Sequence, residues 1–381
     1  MKLKTYLERV LFLSDLIKYW SPKKILKCNA IYNIIYGERS NGKTTGCLLR
    51  ALEEFVKSGY INQAALIRRW QEDYKGAKGT QIVDVINALG YVEQYTKGLY
   101  NRIVYNSQRW YLCRFDNEGV KESQCDIPFM YAFSLASEEH YKMTAYPNIT
   151  TIIFDEFITR SYYLPDEFVK FQNLISTIVR LRDNVIIFMC GNTINKFCPY
   201  FNEMGLTNIK KQLQGTIDVY TYGDTGLKVA VEYCGNVAKS KPSDKYFAFN
   251  NPKLQMITKG GWEIDIYPHL PCNYIDNDIR IRYFIEFDKE LLECKIIYSS
   301  INNYYFTYIH RKTTPLKRLP RDIIYTSEAS PEPLVYSNLC KPVDEISKLI
   351  YTFFIKDKVF YQDNEVGEIV RNYIIACKKS L

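Results

Sequence analysis

Short apolar runs alternate with helical patterns along the first part of the chain. Runs rich in β-branched and aromatic residues lie at 30–36, 64–67, 151–154 and 185–190. This composition is typical of strands that are buried on both faces of a sheet. Apolar residues recur at helical spacing over 48–56 and 166–181, which predicts helices between the strands. Strands that alternate with helices predict an α/β domain with a mostly parallel sheet.

The two ends of this domain have patterns of their own. Residues 1–20 predict an amphipathic helix that docks on the core or, alternatively, contacts another subunit. Stretches at 217–222 and 227–233 alternate about a glycine-containing turn and predict a hairpin that ends the domain. The first domain is therefore predicted to span residues 1–235.

A second, smaller domain follows a polar, proline-interrupted linker at 236–255. Successive strands are predicted at 280–287, 292–299, 304–310 and 323–325, the first three of them antiparallel. Helices are predicted at 343–354 and 365–376. This order of elements predicts an α+β domain over residues 256–381.

One motif lies between the first predicted strand and the first predicted helix. Residues 37–44 read Gly-Glu-Arg-Ser-Asn-Gly-Lys-Thr and match the phosphate-binding pattern G-x-x-x-x-G-K-[S/T] at every fixed position. A glycine-rich turn that opens a helix aims backbone N–H groups and the positive end of the helix dipole at one point, and so holds a polyphosphate. The alternative, a surface loop with this composition by chance, is disfavoured by the flanking strand and helix.

The match to the phosphate-binding pattern predicts roles for several residues. Lys43 is expected to reach the β- and γ-phosphates of ATP, and the Thr44 hydroxyl to bind Mg²⁺. The predicted nucleotide-contacting residues of this segment are Gly37, Arg39, Ser40, Asn41, Gly42, Lys43, Thr44 and Thr45.

A second chemical landmark is the strand at 151–154, which ends in Asp155 and Glu156. An apolar strand that ends in two acids, about a hundred residues after a phosphate-binding loop, has the form of a Walker B element. Asp155 is expected to hold Mg²⁺ through water, and Glu156 to polarise the water that attacks the γ-phosphate. The paired acids separate the chain from GTPases and small kinases and predict an ASCE-type P-loop ATPase.

Polar residues at the ends of other elements are further candidates. Arg68 and Arg69 end the second strand, and Arg69 is the preferred candidate for contacting phosphates, with a solvated pair as the alternative. Asn192 follows the strand after the Walker B element and is either a γ-phosphate sensor or a turn residue. Arg180 and Arg182 end a predicted helix, where the dipole favours cations, and either could instead reach a neighbouring subunit's γ-phosphate.

Composition narrows the class of protein. The 381 residues include 50 Lys and Arg against 42 Asp and Glu, and the net charge of +8 suits a polyanionic partner. Lys75 and Lys78 lie in a basic loop that either contacts a nucleic-acid backbone or is simply exposed. Eleven cysteines without a C-x-x-C pair and three scattered histidines indicate neither a zinc site nor a disulfide framework. No signal-peptide layout and no apolar run of ~18 residues is found, so we expect no membrane span.

Taken in order, these motifs resemble those of the genome-packaging (encapsidation) ATPases of small, salasvirus-like tailed bacteriophages, which are relatives of the large terminase subunits. In the first domain the resemblance rests on Gly-Glu-Arg-Ser-Asn-Gly-Lys-Thr, Ile-Arg-Arg-Trp, Ile-Ile-Phe-Asp-Glu-Phe and Cys-Gly-Asn-Thr. In the second it rests on topology alone. It implies a homomeric ring, usually a pentamer, at the portal vertex of an empty procapsid in the host cytoplasm. There, ATP hydrolysis would drive double-stranded viral DNA inward.

The resemblance also implies roles for residues of the first domain. Lys43, Thr44, Asp155 and Glu156 match the Walker positions. Either Arg180 or Arg182 is implied as the arginine that acts on a neighbouring subunit's nucleotide.

For the second domain, the resemblance implies an RNase H-like fold related to terminase nucleases. Such a nuclease needs several carboxylates that meet on two metals. Glu286, Asp288 and Glu328 do not form this pattern, so we predict a vestigial nuclease that binds without cutting. Candidates for contact with DNA, or with the packaging RNA that some relatives use, are Arg311, Lys312, Lys317 and Arg318. The alternative is a solvated basic loop.

Two other functions share parts of this pattern. A ring helicase or other translocase outside packaging would have the same ATPase core. A non-motor nucleotide switch or kinase would bind nucleotide without needing Glu156 as a base.

Overall fold

The computed structural model describes residues 20–160, 163–235, 262, 266–300 and 303–379. The chain divides into two compact units, residues 1–263 and 264–381. The predicted N-terminal helix and the predicted linker at 236–255 lie outside the described residues. Trp262 belongs to the first unit, where its ring lies 5.2 Å from that of Tyr36.

In its described part, the first unit is built on a ten-stranded sheet. Its strands are β1 (Tyr32–Gly37), β2 (Gln63–Arg68), β3 (Arg102–Asn106), β4 (Arg109–Phe115), β5 (Lys121–Gln124), β6 (Met130–Ser134), β7 (Ile149–Asp155), β8 (Ile186–Asn192), β9 (Ile217–Tyr222) and β10 (Leu227–Tyr233). The strand order is β3-β4-β6-β2-β7-β8-β1-β10-β9, with β5 paired to β4. The six strands from β6 to β10 in this order are parallel. The predicted mostly parallel sheet is therefore confirmed.

Helices cover both faces of this sheet. They are α1 (Lys43–Lys57), α2 (Lys78–Gln81), α3 (Asp84–Ala88), α4 (Tyr91–Tyr95), α5 (Glu167–Val179) and α6 (Pro199–Glu203). Short 3-10 turns occupy Ile25–Cys28, Gln71–Tyr74, Leu135–Tyr141 and Gly223–Thr225. The sequence pattern did not predict α2, α3, α4 or α6.

Alternation along β1 shows how one strand supplies two cores. Ile34 and Tyr36 face the core that contains Phe171 of α5. Ile35 faces the opposite core, which contains Leu52 of α1. Side chains of neighbouring residues point to opposite faces of a strand, so this continuous apolar run is buried on both sides. Full burial of each such side chain contributes about 1.5–3 kcal/mol.

Among its described residues, the second unit contains a six-stranded sheet and two helices. Its elements are β11 (Ile279–Phe287), β12 (Glu290–Ser299), β13 (Tyr304–Arg311), β14 (Ile323–Thr326), β15 (Val335–Tyr336), α7 (Glu345–Ile355), β16 (Val359–Tyr361) and α8 (Asn364–Lys379), with a 3-10 turn at Asp276–Asp278. The strand order is β15-β14-β11-β12-β13-β16. Strand β12 runs antiparallel to both β11 and β13, as predicted, and β14 runs parallel to β11. The predicted α+β architecture of this unit is therefore confirmed, and its likeness to RNase H stays a prediction.

None of the helices in the described part of the chain combines the length and the apolar character that a bilayer crossing requires.

Candidate active site

The predicted site residues meet at one edge of the first sheet because they follow neighbouring parallel strands. Gly37 at the end of β1 pairs with Asn192 at the end of β8. Asp155, the last residue of β7, pairs with Cys190 of β8. The carboxyl ends of parallel strands are where α/β sheets bind ligands.

The loop before α1 has the backbone that its glycine predicts. Gly42 directly precedes α1 with φ +80°, a left-handed conformation that glycine adopts without steric cost. The helix then begins at Lys43, so the free N–H groups of its first turn lie beside the loop. This is the local geometry expected of an anion-binding helix N-terminus.

The ammonium group of Lys43 is held by oxygens of the loop and of β8. Its Nζ donates to Glu38 O at 2.6 Å, Asn41 Oδ1 at 3.2 Å and Gly37 O at 3.5 Å. It also donates to Asn192 Oδ1 at 3.2 Å. Burial lowers the pKa of Lys43. Asn192, the predicted sensor, thus contacts the lysine predicted to hold the terminal phosphates.

A hydrogen bond between Thr44 and Asp155 joins the phosphate-binding loop to the end of β7. The Thr44 hydroxyl donates to Asp155 Oδ1 at 2.7 Å, and Asp155 is 5% exposed. A hydroxyl and a carboxylate are hard oxygen ligands of the kind that Mg²⁺ prefers. The two residues predicted to hold Mg²⁺ are therefore adjacent, and their chemistry fits that ion.

Arg68 joins the two acids. Its Nη2 donates to Asp155 Oδ2 at 2.6 Å and its Nη1 to Glu156 Oε2 at 3.1 Å. Burial opposes the charge on Arg68, but the two carboxylates outweigh it and raise the pKa of its guanidinium. Glu156 has φ +59°, which is uncommon for a residue with a side chain, and its side chain is 61% exposed. Glu156 therefore projects into the open side of the site.

Arg69, which the sequence favoured over Arg68, does not reach this site. Its guanidinium forms two 2.8 Å hydrogen bonds to Glu167 at the start of α5. It also donates to the backbone carbonyls of Glu156 and Phe157 at 3.3 and 3.0 Å. The prediction of Arg69 as a phosphate contact is wrong in this structure, because the buried carboxylate on α5 occupies its donors. The register of β2 against β7, which pairs Ile67 with Phe154, instead puts Arg68 beside Asp155.

These residues surround a cavity of about 290 Å³. It is lined by Ser40, Asn41, Gly42, Lys43, Thr44, Thr45, Arg68, Ile82, Asp155, Glu156, Cys190, Gly191 and Asn192. Of the predicted loop residues, Gly37 and Arg39 are not part of this lining, although the Gly37 carbonyl accepts from Lys43. Ile82, Cys190 and Gly191 were not predicted, since apolar positions carry no chemical signature in the sequence.

The two candidate trans-acting arginines lie at the opposite edge of the sheet. Arg182 donates to the carbonyls of Ile149, Tyr146, Ile178 and Val179 at 2.6 to 3.3 Å. Ile149 begins the strand that Asp155 ends, a separation of about 20 Å at 3.3 Å per residue. Neither arginine is therefore close to its own chain's cavity.

Arg180 differs from Arg182 in its environment. Its side chain is exposed and donates to Thr144 O at 3.3 Å, whereas four backbone carbonyls engage Arg182. Leu181 between them is fully exposed. Arg180 is thus the arginine whose head group a second molecule can reach.

The predicted basic loop around Lys75 and Lys78 runs into a short helix. Lys78 begins α2, and Trp110 Nε1 donates to Gly79 O at 2.9 Å. A Cβ at Gly79 would lie 2.4 Å from the Tyr105 ring, so glycine permits this close packing. Lys75 is exposed and pairs with Glu72 at 3.1 Å.

The basic residues predicted in the second unit fall into two groups. Arg318 bridges Glu286 at 2.7 Å and Glu332 at 3.4 Å. Arg311 pairs with Glu365 at 3.3 Å. Ion pairs within the chain thus engage both guanidinium groups, and the contact of these arginines with nucleic acid stays a prediction.

The lysines of the same stretch keep their charge closer to solvent. Lys312 donates to Thr314 Oγ1 at 2.8 Å, and Lys317 is exposed. The acids Glu286, Asp288 and Glu328 line one cavity of about 310 Å³. In the part of the chain that the structure describes, no three His, Cys, Asp or Glu side chains converge as metal ligands.

Comparison with known proteins shows which family this chain matches. Residues 14–221 match the family described as podovirus DNA encapsidation protein (Gp16). The DNA packaging protein of Bacillus phage phi29 is 27% identical over 186 residues, which are 48% of this chain and 49% of that protein. That of Bacillus phage B103 is 28% identical over 185 residues, 48% of this chain and 50% of that protein. The chain thus aligns with about half the length of these curated relatives.

A solved structure resembles nearly the whole chain. A chain of the bacteriophage Phi-29 viral genome packaging motor assembly aligns with a TM-score of 0.56 at 20% identity. The alignment covers 95% of this chain and 98% of that one. At this identity the likeness establishes a shared fold.

Proposed function

Because the chain belongs to the podovirus DNA encapsidation protein family, we propose that it is an ATP-driven motor that translocates double-stranded viral DNA into a preformed procapsid. The relatives from phages phi29 and B103 are named DNA packaging proteins. The shared fold with a chain of a genome packaging motor supports the same assignment.

One observation carries the ATPase part of the proposal. The Thr44 hydroxyl of the phosphate-binding loop lies 2.7 Å from the Asp155 carboxylate of the Walker B strand. Lys43 and Glu156 line the same cavity. The loop that would hold a triphosphate and the acids that would act on it therefore face each other, as phosphoryl transfer to water requires.

Each residue of the site then has a separate role in ATP hydrolysis. Loop amides and Lys43 bind the β- and γ-phosphates, and Thr44 and Asp155 hold Mg²⁺, which when bound neutralises charge on the phosphate oxygens. Glu156 orients the attacking water and accepts its proton. Asn192, which contacts Lys43 at 3.2 Å, senses the terminal phosphate through that lysine.

We propose Arg180 as the arginine that completes a neighbouring subunit's site. Its exposed head group supports this choice, whereas Arg182 is engaged by four carbonyls of its own chain. Such an arginine stabilises charge in the transition state and is worth about 10³-fold or more in rate. The proposal requires a homo-oligomeric ring, which we expect to be a pentamer at the portal vertex of the procapsid in the host cytoplasm.

The second unit is proposed to bind nucleic acid without cutting it. The 2.7 Å ion pair between Arg318 and Glu286 supports this, because it neutralises a carboxylate that a two-metal nuclease would need for its cations. Lys312 and Lys317, with Lys75 and Lys78 of the first unit, are the proposed contacts to the phosphates of DNA or of a packaging RNA.

ATP turnover with and without double-stranded DNA and procapsids tests the proposal. We expect turnover that DNA stimulates, DNA protected from nuclease inside procapsids, and a particle mass that is a multiple of 44.8 kDa. Glu156→Gln should still bind ATP and lose turnover by about 10²-fold or more. DNA-stimulated turnover without encapsidated DNA would indicate a translocase outside packaging. Turnover that Glu156→Gln leaves intact would indicate a switch or kinase.

A further inference from the structure

Two buried thiols face each other beside the cavity. Cys47 lies in the second turn of α1, and Cys190 lies near the end of β8. Their Sγ atoms are 3.6 Å apart. Cys47 is fully buried, whereas Cys190 belongs to the lining of the cavity. No part of the function proposed above uses either thiol.

The two sulfur atoms are close enough to be joined by a disulfide. Both cysteines are free thiols in this structure. The sulfur atoms of a disulfide are about 2.05 Å apart. The two Sγ atoms therefore need to approach each other by about 1.5 Å for the bond to form.

The cavity gives a small oxidant access to Cys190. Its volume of about 290 Å³ is far larger than hydrogen peroxide, which is little larger than a water molecule of about 30 Å³. Cys47 lies behind Cys190, in the core that contains Leu48 and Phe55 of α1. Because the oxidation of a thiol depends on its exposure, Cys190 reacts first and Cys47 second.

We propose that Cys47 and Cys190 are a modification site at which a small peroxide forms a reversible disulfide that closes the nucleotide site. Cys190 Sγ attacks one peroxide oxygen, and the O–O bond breaks. Cys190 becomes a sulfenic acid, and the other oxygen leaves with the thiol proton as water. Cys47 Sγ then attacks Cys190 Sγ, the S–O bond breaks, and the hydroxyl leaves with the Cys47 proton as a second water. The two electrons that the thiols lose reduce one peroxide to two waters.

The disulfide acts on the nucleotide site because it joins the two elements that carry Lys43 and Asn192. Lys43 begins α1, four residues before Cys47, and Asn192 ends β8, two residues after Cys190. Lys43 Nζ donates to Asn192 Oδ1 at 3.2 Å. Close-packed interiors transmit small shifts, so drawing α1 toward β8 displaces the lysine that binds the phosphates. This consequence rests on the proposed function, whereas formation of the disulfide does not.

Mass spectrometry of peroxide-treated wild-type protein, digested without reduction, tests whether the bond forms. We expect one linked pair of peptides, which contain Cys47 and Cys190. Cys47→Ala should instead retain a sulfenic acid at Cys190, which dimedone traps. The control Cys113→Ala removes a buried thiol on β4, which β6, β2 and β7 separate from β8, and it should form the bond as the wild type does. Unmodified thiols in the wild type, or a bond from Cys190 to Cys234, would overturn the proposal.

Protection by nucleotide tests the route of the oxidant. Fluorescent ADP at ten times its dissociation constant leaves about one tenth of the sites free. The disulfide should then form about tenfold more slowly in the wild type, since nucleotide covers Cys190. A bond that forms at the same rate with and without bound ADP would overturn the proposed access through the cavity.

Titration with fluorescent ADP tests whether the bond closes the site. The oxidised wild type should bind ADP about tenfold or more weakly, as loss of one charge-assisted hydrogen bond implies. Dithiothreitol should restore the affinity, and untreated Cys47→Ala should match the reduced wild type. A protein that carries the bond and still binds ADP like the reduced form would overturn the proposed closure.

The decisive measurements use the wild type, so they do not depend on whether a variant folds. A reduced wild type that binds no ADP would refute the proposed function, and the mass spectra would still decide whether the disulfide forms. A reduced wild type that binds ADP and forms no disulfide would refute this inference alone.

Discussion

Replacing Glu167 with Gln should destabilise the first unit far more than a surface substitution, because Glu167 neutralises the buried guanidinium of Arg69. Their side chains are 1% and 7% exposed and share two 2.8 Å hydrogen bonds. Glu167 also accepts from the Tyr200 hydroxyl at 2.9 Å and from the Leu164 amide at 2.7 Å. Gln has the same shape but no charge, and its amide group adds donors where the neighbours already donate.

The magnitude follows from this burial. Removing one partner of a buried ion pair costs about 3–5 kcal/mol, because the other charge stays buried without compensation. At about 2–4 °C per kcal/mol for a unit of this size, the melting temperature should fall by roughly 10 °C. The damage should also reach the site, since Arg69 holds the backbone carbonyl of Glu156 at 3.3 Å.

Thermal unfolding of the full chain, followed by circular dichroism, measures the effect. The matched control is Glu72→Gln, which breaks the exposed 3.1 Å pair with Lys75 and should cost less than about 1 kcal/mol. The double variant Arg69→Met/Glu167→Leu should recover part of the loss, because an apolar pair needs no compensating charge, while the Tyr200 hydroxyl and the Leu164 amide still lose their acceptor.

A Glu167→Gln variant within about 1 kcal/mol of the wild type would refute this reasoning, given the cost expected for a buried unpaired charge. So would an Arg69→Met variant that keeps full stability but binds ATP weakly. That result would return Arg69 to the phosphate-binding role that the sequence suggested.

Two further predictions concern other residues. Arg180→Ala should keep wild-type stability and lose ATP turnover by about 10³-fold in the assembled ring. Arg182→Ala should lower the melting temperature, because the hydrogen bonds that its guanidinium donates to four carbonyls are lost; equal stability of both variants would contradict the distinction. Asp344→Ala should cost about 1 kcal/mol at neutral pH, because Asp344 caps α7 through the Ser347 amide at 2.7 Å. Hydrogen bonds from the Tyr336 hydroxyl and from Ser347 lower the pKa of Asp344, so its contribution exists above its unfolded pKa and is lost as pH falls through the lowered value. Unfolding at neutral and acid pH should show the difference between wild type and variant disappear in acid, and a difference that persists there would contradict this account.

Much of the fold could be predicted because its signals are local. The β1 strand, the phosphate-binding loop and α1 are read from apolar composition, glycine position and helical spacing within about 30 residues of one another. Asp155 and Glu156 could be recognised in the same way, since an apolar strand that ends in acids needs no knowledge of its neighbours. The short helices α3 and α4 were missed because their apolar positions are too few to establish a period.

The environments of the arginines could not be predicted from local sequence patterns. Arg68 and Arg69 are adjacent and chemically identical in the sequence, but the register of β2 on β7 puts one beside Asp155, and α5 supplies a buried acid to the other. Arg180 and Arg182 are separated in the same manner, because carbonyls from three segments converge on Arg182 alone.

The sequence by itself therefore determined which residues are the candidates to bind a triphosphate and activate water, since backbone conformation and side-chain chemistry are properties of short segments. Only the tertiary structure decided which arginine faces the cavity, which is buried and which remains exposed. Those outcomes depend on strand register and on partners as distant in the chain as Glu167 is from Arg69. The residue pattern around an arginine does not show which distant carboxylate will pair with it.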